Sequence, residues 1–332
     1  MSILILKAGL LDSIQDTGRY GFSNLGINPT GAMDRYASKV ANMLVGNELD
    51  AAVIEIHFPG PQLLFEQAAM ISICGGDFSP MLDNEPIPMW QPIIVRRNTA
   101  LHFDNLLKGG RCYLALHGGF ELEKWLNSYS THLKAAAGGF CGRKLEKPDR
   151  LFQGESSIYF PAWLTADRDK TILPWRADAR KVYEHPHEIF ITEGKEWEQL
   201  SNTSKQELLN GNFIIHPFSD RMGYQLKGEP LSLKEKNEII SSGVNFGTIQ
   251  LLPNGQLVIL MADHQTTGGY PRLVHVIAAH LPKLAQLRPS DHLKFTFVTI
   301  DRAEELYLEQ QKEMQILQRS CYDHLKKLVC LP

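Results

Sequence analysis

Between residues 53 and 117 the chain falls into six apolar runs, at 53–58, 62–65, 69–74, 93–97, 100–103 and 111–117. Pro-Gly, Gly-Gly-Asp, Asp-Asn and Lys-Gly-Gly turns stand between them. A parallel α/β sheet needs a crossover of about a dozen residues, usually a helix, between successive strands. Runs this short and turns this frequent leave no room for such crossovers, so a β-barrel or sandwich is expected. The same texture reopens at 188–192 and 213–217, then at 272–277 and 293–300. Asn254-Gly255 between two apolar runs marks a hairpin. Residues 1–7 read as a first strand. The fold class expected is mainly β with minor α.

Two helices interrupt this pattern. Asp34 is placed as an N-cap, with Ala37, Val40, Ala41 and Leu44 on one apolar face and Gly46 as the stop, giving a helix over 35–45. Residues 303–328 carry amphipathic spacing and form a terminal helix. Residues 9–34 and 117–149 are long glycine-rich loops, of the kind that is functional or covers a core. Glu55 and His57 are expected on one strand face. With 332 residues, one large or two ordinary domains are expected. The division read here is 1–160, a connection over 161–187, a second domain over 188–301 and the terminal helix over 302–332.

A net charge of -3 gives no reason to expect nucleic acid or an anionic membrane. No apolar run approaches the ~20 residues that span a bilayer, and the first residues lack the basic and apolar regions of a signal peptide. Five scattered cysteines contain no CxxC pair, so neither a zinc site nor a disulfide framework is indicated, and a cytoplasmic location is expected. There is no GxxxxGK[ST] phosphate loop, GxGxxG, HExxH or GxSxG. No Met-Lys-Met stretch offers a lysine for biotin.

The densest chemistry lies in Asp263-His264-Gln265-Thr266-Thr267-Gly268-Gly269-Tyr270-Pro271, a polar loop between apolar runs. Its two glycines permit positive φ and close approach to a ligand. The same residues also suit a turn that caps its own backbone. Ser219-Asp220-Arg221-Met222-Gly223-Tyr224 echoes Arg19-Tyr20-Gly21-Phe22 as Arg-x-Gly-aromatic.

Seven motifs in order resemble one family over nearly the whole chain. They are Gln15-Asp16 with Gly18-Arg19; Gly31-Ala32-Met33-Asp34; Ala41-Asn42 with Val45-Gly46-Asn47; Gly138-Gly139-Phe140 with Gly142-Arg143; Ser219 to Tyr224; Gly247-Thr248-Ile249-Gln250; and Asp263 with Gln265 to Pro271. The chain resembles the C subunit of bacterial ATP-dependent 5-oxoprolinase. That family is also labelled biotin-dependent carboxyltransferase or allophanate hydrolase subunit 2, and includes the antagonist of a sporulation-kinase inhibitor. Tyr129, Gln225 and Pro148 stand where related chains often carry Arg, Arg and Gly.

The resemblance implies two cyclophilin-like β-barrel domains in tandem and partnership with the B and A subunits of the 5-oxoprolinase complex. It implies the ATP-coupled opening of 5-oxo-L-proline to L-glutamate, with ATP held on this chain or a partner. A divalent metal is compatible with that chemistry, its identity unknown, and biotin is not attached to this chain. Asp16 and Asp263 are candidates for the base or a metal ligand, and Thr266 and Thr267 for catalytic donors. Arg19, Arg143 and Arg221 are candidate anion clamps, Ser219 and Asp220 orienting Arg221. Gln15, Ser219, Gln265, Gly268, Gly269 and Tyr270 complete the substrate-binding set. Each arginine equally suits a structural ion pair, Arg221 with Asp220 or Glu229. Two other functions stay open: the carboxyltransferase half of a biotin-dependent, urea-carboxylase-like enzyme, and a non-catalytic antagonist of a kinase inhibitor.

Overall fold

The computed structural model describes residues 2–154, 170–235 and 239–329. The first nine residues of the expected 161–187 connection lie outside them. The chain forms two compact units, and neither is one continuous stretch. The first unit comprises Met1–Gly18, Asp34–Ala179 and Lys312–Pro332; the second comprises Arg19–Met33 and Arg180–Gln311. The glycine-rich loop over 9–34 is thus divided between them. The connection expected over 161–187 is no free linker where it is described. Lys170–Ile172 pairs with Pro92–Val95 as an edge strand of the first unit, and Leu173, Trp175, Ala177 and Ala179 are buried.

In the first unit two six-stranded sheets enclose one apolar core. One sheet runs Arg150–Phe152, Ser2–Lys7, Gln62–Phe65, Thr99–Phe103, Pro80–Leu82, Glu85–Pro86. The other runs Lys170–Ile172, Pro92–Val95, Ala69–Asp77, Lys108–Leu116, Val53–Ile56, Ser13–Gln15. Both sheets contribute β-branched residues to the core, such as Ile3 and Ile5 from one and Ile71 and Ile73 from the other.

Helix Arg35–Leu44 packs on strands Ala69–Asp77 and Lys108–Leu116, so those strands are buried on both faces and lose the usual alternation. Its N-cap is the expected one: Asp34 accepts from the Ala37 amide at 2.9 Å. Gly46, at φ 74°, follows its end. Almost the whole helix is buried rather than one face. Glu55 and His57 do not share a strand face. Glu55 is fully buried and accepts from the Tyr113 hydroxyl at 2.9 Å. His57 lies past the strand's end and donates from Nδ1 to the Leu11 carbonyl.

In the second unit seven strands close a barrel: Glu188–Glu193, Arg272–Val276, Thr248–Leu251, Leu257–Leu260, Gly223–Lys227, Phe213–Ile215, His292–Phe297. Every pairing is antiparallel except the one that closes the ring, Glu188–Glu193 against His292–Phe297. Alternating burial, as in Gly223–Lys227, is what a barrel with one filled face requires. The Asn254-Gly255 hairpin forms as expected, with Gly255 at φ 81°. Helix Asn202–Asn210 was not legible, because only Ser204 and Leu208 are buried along it. The mainly β class expected from the short runs is the one the chain adopts.

Candidate functional site

Each unit holds one buried carboxylate cluster built from the predicted residues. In the first unit, strand Ser13–Gln15 delivers Asp16 beside residues 128–131, because the Ile14 carbonyl accepts from both the amide and the hydroxyl of Thr131 at 2.9 Å. Asp16 is buried, and four donors surround its carboxylate. Oδ1 accepts from the Gly18 amide at 2.8 Å, Ser128 Oγ at 2.8 Å and Ser130 Oγ at 2.5 Å, and Oδ2 from the Tyr129 amide at 2.6 Å. No cation is among these partners. Gln15 is also fully buried and donates from Nε2 to Ser13 Oγ and the Thr131 carbonyl.

In the second unit, Arg221 and Asp263 face each other as a two-pronged pair. Nε meets Oδ2 at 2.9 Å and Nη2 meets Oδ1 at 3.0 Å. The residues are 4% and 9% exposed. The Asp263 amide donates to the Arg221 carbonyl at 2.7 Å, so backbone and side chain register together. Arg221 Nη2 also donates to the Gly31 carbonyl at 2.7 Å, and Asn28 Nδ2 to the Asp263 carbonyl at 2.9 Å. The 19–33 segment is thereby tied to the pair. Arg19 is buried in the same segment and donates to Thr30 Oγ1 at 3.2 Å.

This geometry corrects the expected orientation of Arg221. Ser219 and Asp220 do not steer its guanidinium. Asp220 accepts from the amides of Met222 and Gly223, and Ser219 bonds the backbone of Gln225. The ion pair is with Asp263, not Asp220 or Glu229. A fork already filled by a carboxylate is not presented to a substrate anion. Each carboxylate oxygen of Asp16 and of Asp263 accepts at least one hydrogen bond.

The 265–270 stretch lies at the loop's tip. Gln265 Nε2 donates to Gln250 Oε1 at 3.4 Å, and Gln250 Nε2 to the Tyr270 carbonyl at 3.3 Å. Thr267–Gly268 pairs with Ser242–Gly243 as a short ladder. Among the described residues the hydroxyls of Thr266 and Thr267 have no hydrogen-bond partner. Gly268 and Gly269 permit positive φ, but neither adopts it. A Cβ at 268 would stand 2.7 Å from Gln250 Nε2, so the end of that side chain would have to shift to admit one. Tyr270 is exposed.

Arg143 belongs to the first unit. It pairs with Asp149 through two bonds, at 2.6 and 2.8 Å, and its side chain is 38% exposed. Asn42 and Asn47, from another quoted motif, are structural. Asn47 donates to the Leu116 carbonyl and accepts from the Gly118 amide. Among the described residues no three His, Cys, Asp or Glu side chains are grouped to hold a metal ion. Sequence reasoning missed Ser128, Ser130 and Asn28. Only the alternation of the two serines around Tyr129 hinted that both hydroxyls share a face.

The family model for the carboxyltransferase domain, subdomain A and B, matches residues 25–297. A Haemophilus influenzae protein named as the C subunit of 5-oxoprolinase is 34% identical, over 90% of this chain and 94% of the relative. The Escherichia coli protein of the same name is 31% identical, over 94% and 96%. The crystal structure of Kluyveromyces lactis urea amidolyase superposes with a TM-score of 0.83 at 26% identity; it covers 95% of this chain and 20% of that far longer one.

Proposed function

This chain belongs to the carboxyltransferase family of subdomains A and B, and on that footing we propose that it is the C subunit of an ATP-dependent 5-oxoprolinase. It opens 5-oxo-L-proline to L-glutamate in the cytoplasm together with the A and B subunits. The observation that carries this reading is the extent of the likeness. Relatives named for that subunit are matched over 94% and 96% of their length, the urea amidolyase structure over 20%.

A lactam carbonyl is a poor electrophile, and ATP overcomes this by passing its terminal phosphoryl group to the lactam oxygen. Water then adds to the carbon, the C–N bond breaks as nitrogen takes a proton to leave a γ-glutamyl phosphate, and a second water hydrolyses that acyl phosphate to glutamate and phosphate. ATP is held on this chain or on a partner subunit. This chain contributes binding and orientation. Thr266 and Thr267 offer hydroxyls free to donate to a developing oxyanion. Asp16 and Asp263 act as positioning residues, holding residues 128–131 and the 28–31 segment in place.

A second reading is favoured by the likeness to the urea amidolyase structure. In it the chain is the carboxyltransferase half acting on biotin carried by another chain. One assay separates the two readings: ATP hydrolysis and glutamate release from 5-oxoproline, with this chain alone and with candidate A and B subunits. The first reading expects no turnover alone and robust turnover when assembled. Turnover that requires a biotinylated carrier transfers the assignment to the second.

A further inference from the structure

Between helix Arg35–Leu44 and strand Val53–Ile56 the chain runs along an open cavity of the first unit, about 340 Å³ in volume. That size lies at the small end of the roughly 300–1,000 Å³ usual for ligand pockets. Its lining comes from the 46–52 segment, from residues 117–120, and from Lys124 and Tyr129. Hydrogen bonds fix this frame. Asn47 donates from Nδ2 to the Leu116 carbonyl and accepts at Oδ1 from the Gly118 amide. The buried His117 donates from Nδ1 to the Val45 carbonyl at 2.6 Å. Gly119 borders the empty space: it is buried, at φ 68°, yet beyond its chain neighbours a Cβ there would meet nothing within 4 Å. Protein interiors are close-packed, so a buried residue with room for a side chain marks a void. Solvent reaches the cavity, because Glu48, Asp50 and Lys124 in its lining are all exposed.

Three charges line this space, two negative and one positive. Among the described residues the side chains of Glu48, Asp50 and Lys124 form no ion pair, with one another or with any other residue. Lys124 is held instead by Tyr129, its Nζ 4.9 Å from the ring centroid. Ala51, Ala52 and the Tyr129 ring add apolar surface. The complement of such a lining is a small molecule with two cations, one carboxylate and a short aliphatic stem. We propose that the cavity binds a basic α-amino acid such as L-lysine, its carboxylate against Lys124 and its two ammonium groups against Glu48 and Asp50. 5-Oxoproline is not that ligand, because its nitrogen is acylated and carries no charge. The site therefore lies outside the reaction proposed above and stands without it.

The test removes one charge at a time from the ligand and from the protein. The full chain is titrated by calorimetry with L-lysine, with L-norleucine, which lacks the side-chain ammonium, and with cadaverine, which lacks the carboxylate. L-Lysine is expected to bind at least tenfold more tightly than either. Lys124→Met should erase its advantage over cadaverine, and Glu48→Gln with Asp50→Asn its advantage over L-norleucine. These positions are exposed, and a ratio of two affinities on one variant is insensitive to a partial loss of folded protein.

Filling the void gives a second check. Gly119→Asn places a side chain there at a backbone conformation that asparagine tolerates better than most residues. It should abolish L-lysine binding while a melting curve shows the chain still folded; if it unfolds, the surface variants decide the matter alone. Binding that survives in a folded Gly119→Asn overturns the assignment. So do an absence of L-lysine binding at millimolar concentration, equal affinity for the three ligands, and ratios that the surface variants leave unmoved.

Discussion

Asp16 in the first unit and Asp263 in the second are both buried and fully engaged, yet they are held by opposite means. Asp16 is surrounded by two hydroxyls and two backbone amides, all neutral. Asp263 is held by the guanidinium fork of Arg221. Neutral donors keep the negative charge as a net charge and fix a loop around it. The fork cancels the charge and makes each partner depend on the other. The first arrangement tolerates loss of a single donor; the second does not tolerate loss of either partner, because a bare charge stays behind.

The largest expected effect follows from that dependence. Asp263→Asn removes the carboxylate charge that faces the buried Arg221 fork, and the second unit should lose about 3–5 kcal/mol of stability. The change therefore does not spare packing, despite keeping the side chain's shape. Adding Arg221→Met removes the stranded cation and should restore most of the loss. Urea unfolding of both variants checks this; a double variant as unstable as the single would break the comparison at its root.

Asp12 sharpens it, being a buried carboxylate with neither device. Its Oδ2 accepts from the Gly9 amide at 2.7 Å, and its Oδ1 has no partner. Burial pushes its pKa up to about 7, against opposing contributions from the Gly9 and His57 amides and Lys144. The folded pKa lies above the unfolded value of 3.8. The native state thus binds the proton more tightly, and the contribution to stability is present below pH 4 and lost as pH rises to 7. Asp12→Asn should leave stability unchanged near pH 4 and raise it at pH 8 by on the order of 2–4 kcal/mol. Melting curves across that range decide the matter, and a gain that does not grow with pH would refute the account.

Asp16→Asn should be milder than Asp263→Asn. The new amide turns a donor toward a donor, costing roughly 1.5–3 kcal/mol for charge-assisted bonds lost, with no orphaned cation. A loss as large as that of Asp263→Asn would mean that the neutral shell is no more tolerant than the fork. Smallest is Arg143→Ala. Its own side chain is 38% exposed, although that of Asp149 is only 11%, so about 1 kcal/mol is expected. Assembled turnover should hold as well, and a marked fall in substrate affinity would make Arg143 a clamp after all.

Much of the fold could be read from local pattern. The Asp34 cap, the Asn254-Gly255 turn and the short strands each depend on residues a few positions apart. Helix Asn202–Asn210 could not, because a mostly solvated helix carries little apolar period. Nor could the burial of Glu55, which depends on Tyr113 in the neighbouring strand. Of the candidate residues, the motifs named Asp16, Arg221 and Asp263 but not their roles. Asn28 left no local trace, since its bond to the Asp263 carbonyl joins residues 235 positions apart.

What the sequence determined by itself was the mainly β class, the main turns and the residues in which polar chemistry concentrates. These follow from alternation, capping and turn preference, which act over a few residues. Only the tertiary structure decided which partner answers each buried charge. Asp263 meets an arginine 42 residues away, and Asp16 a serine 112 residues away. Burial makes a partner obligatory for a charge, but any donor within reach can serve. Reach is set by how strands register and close, and no local preference encodes that.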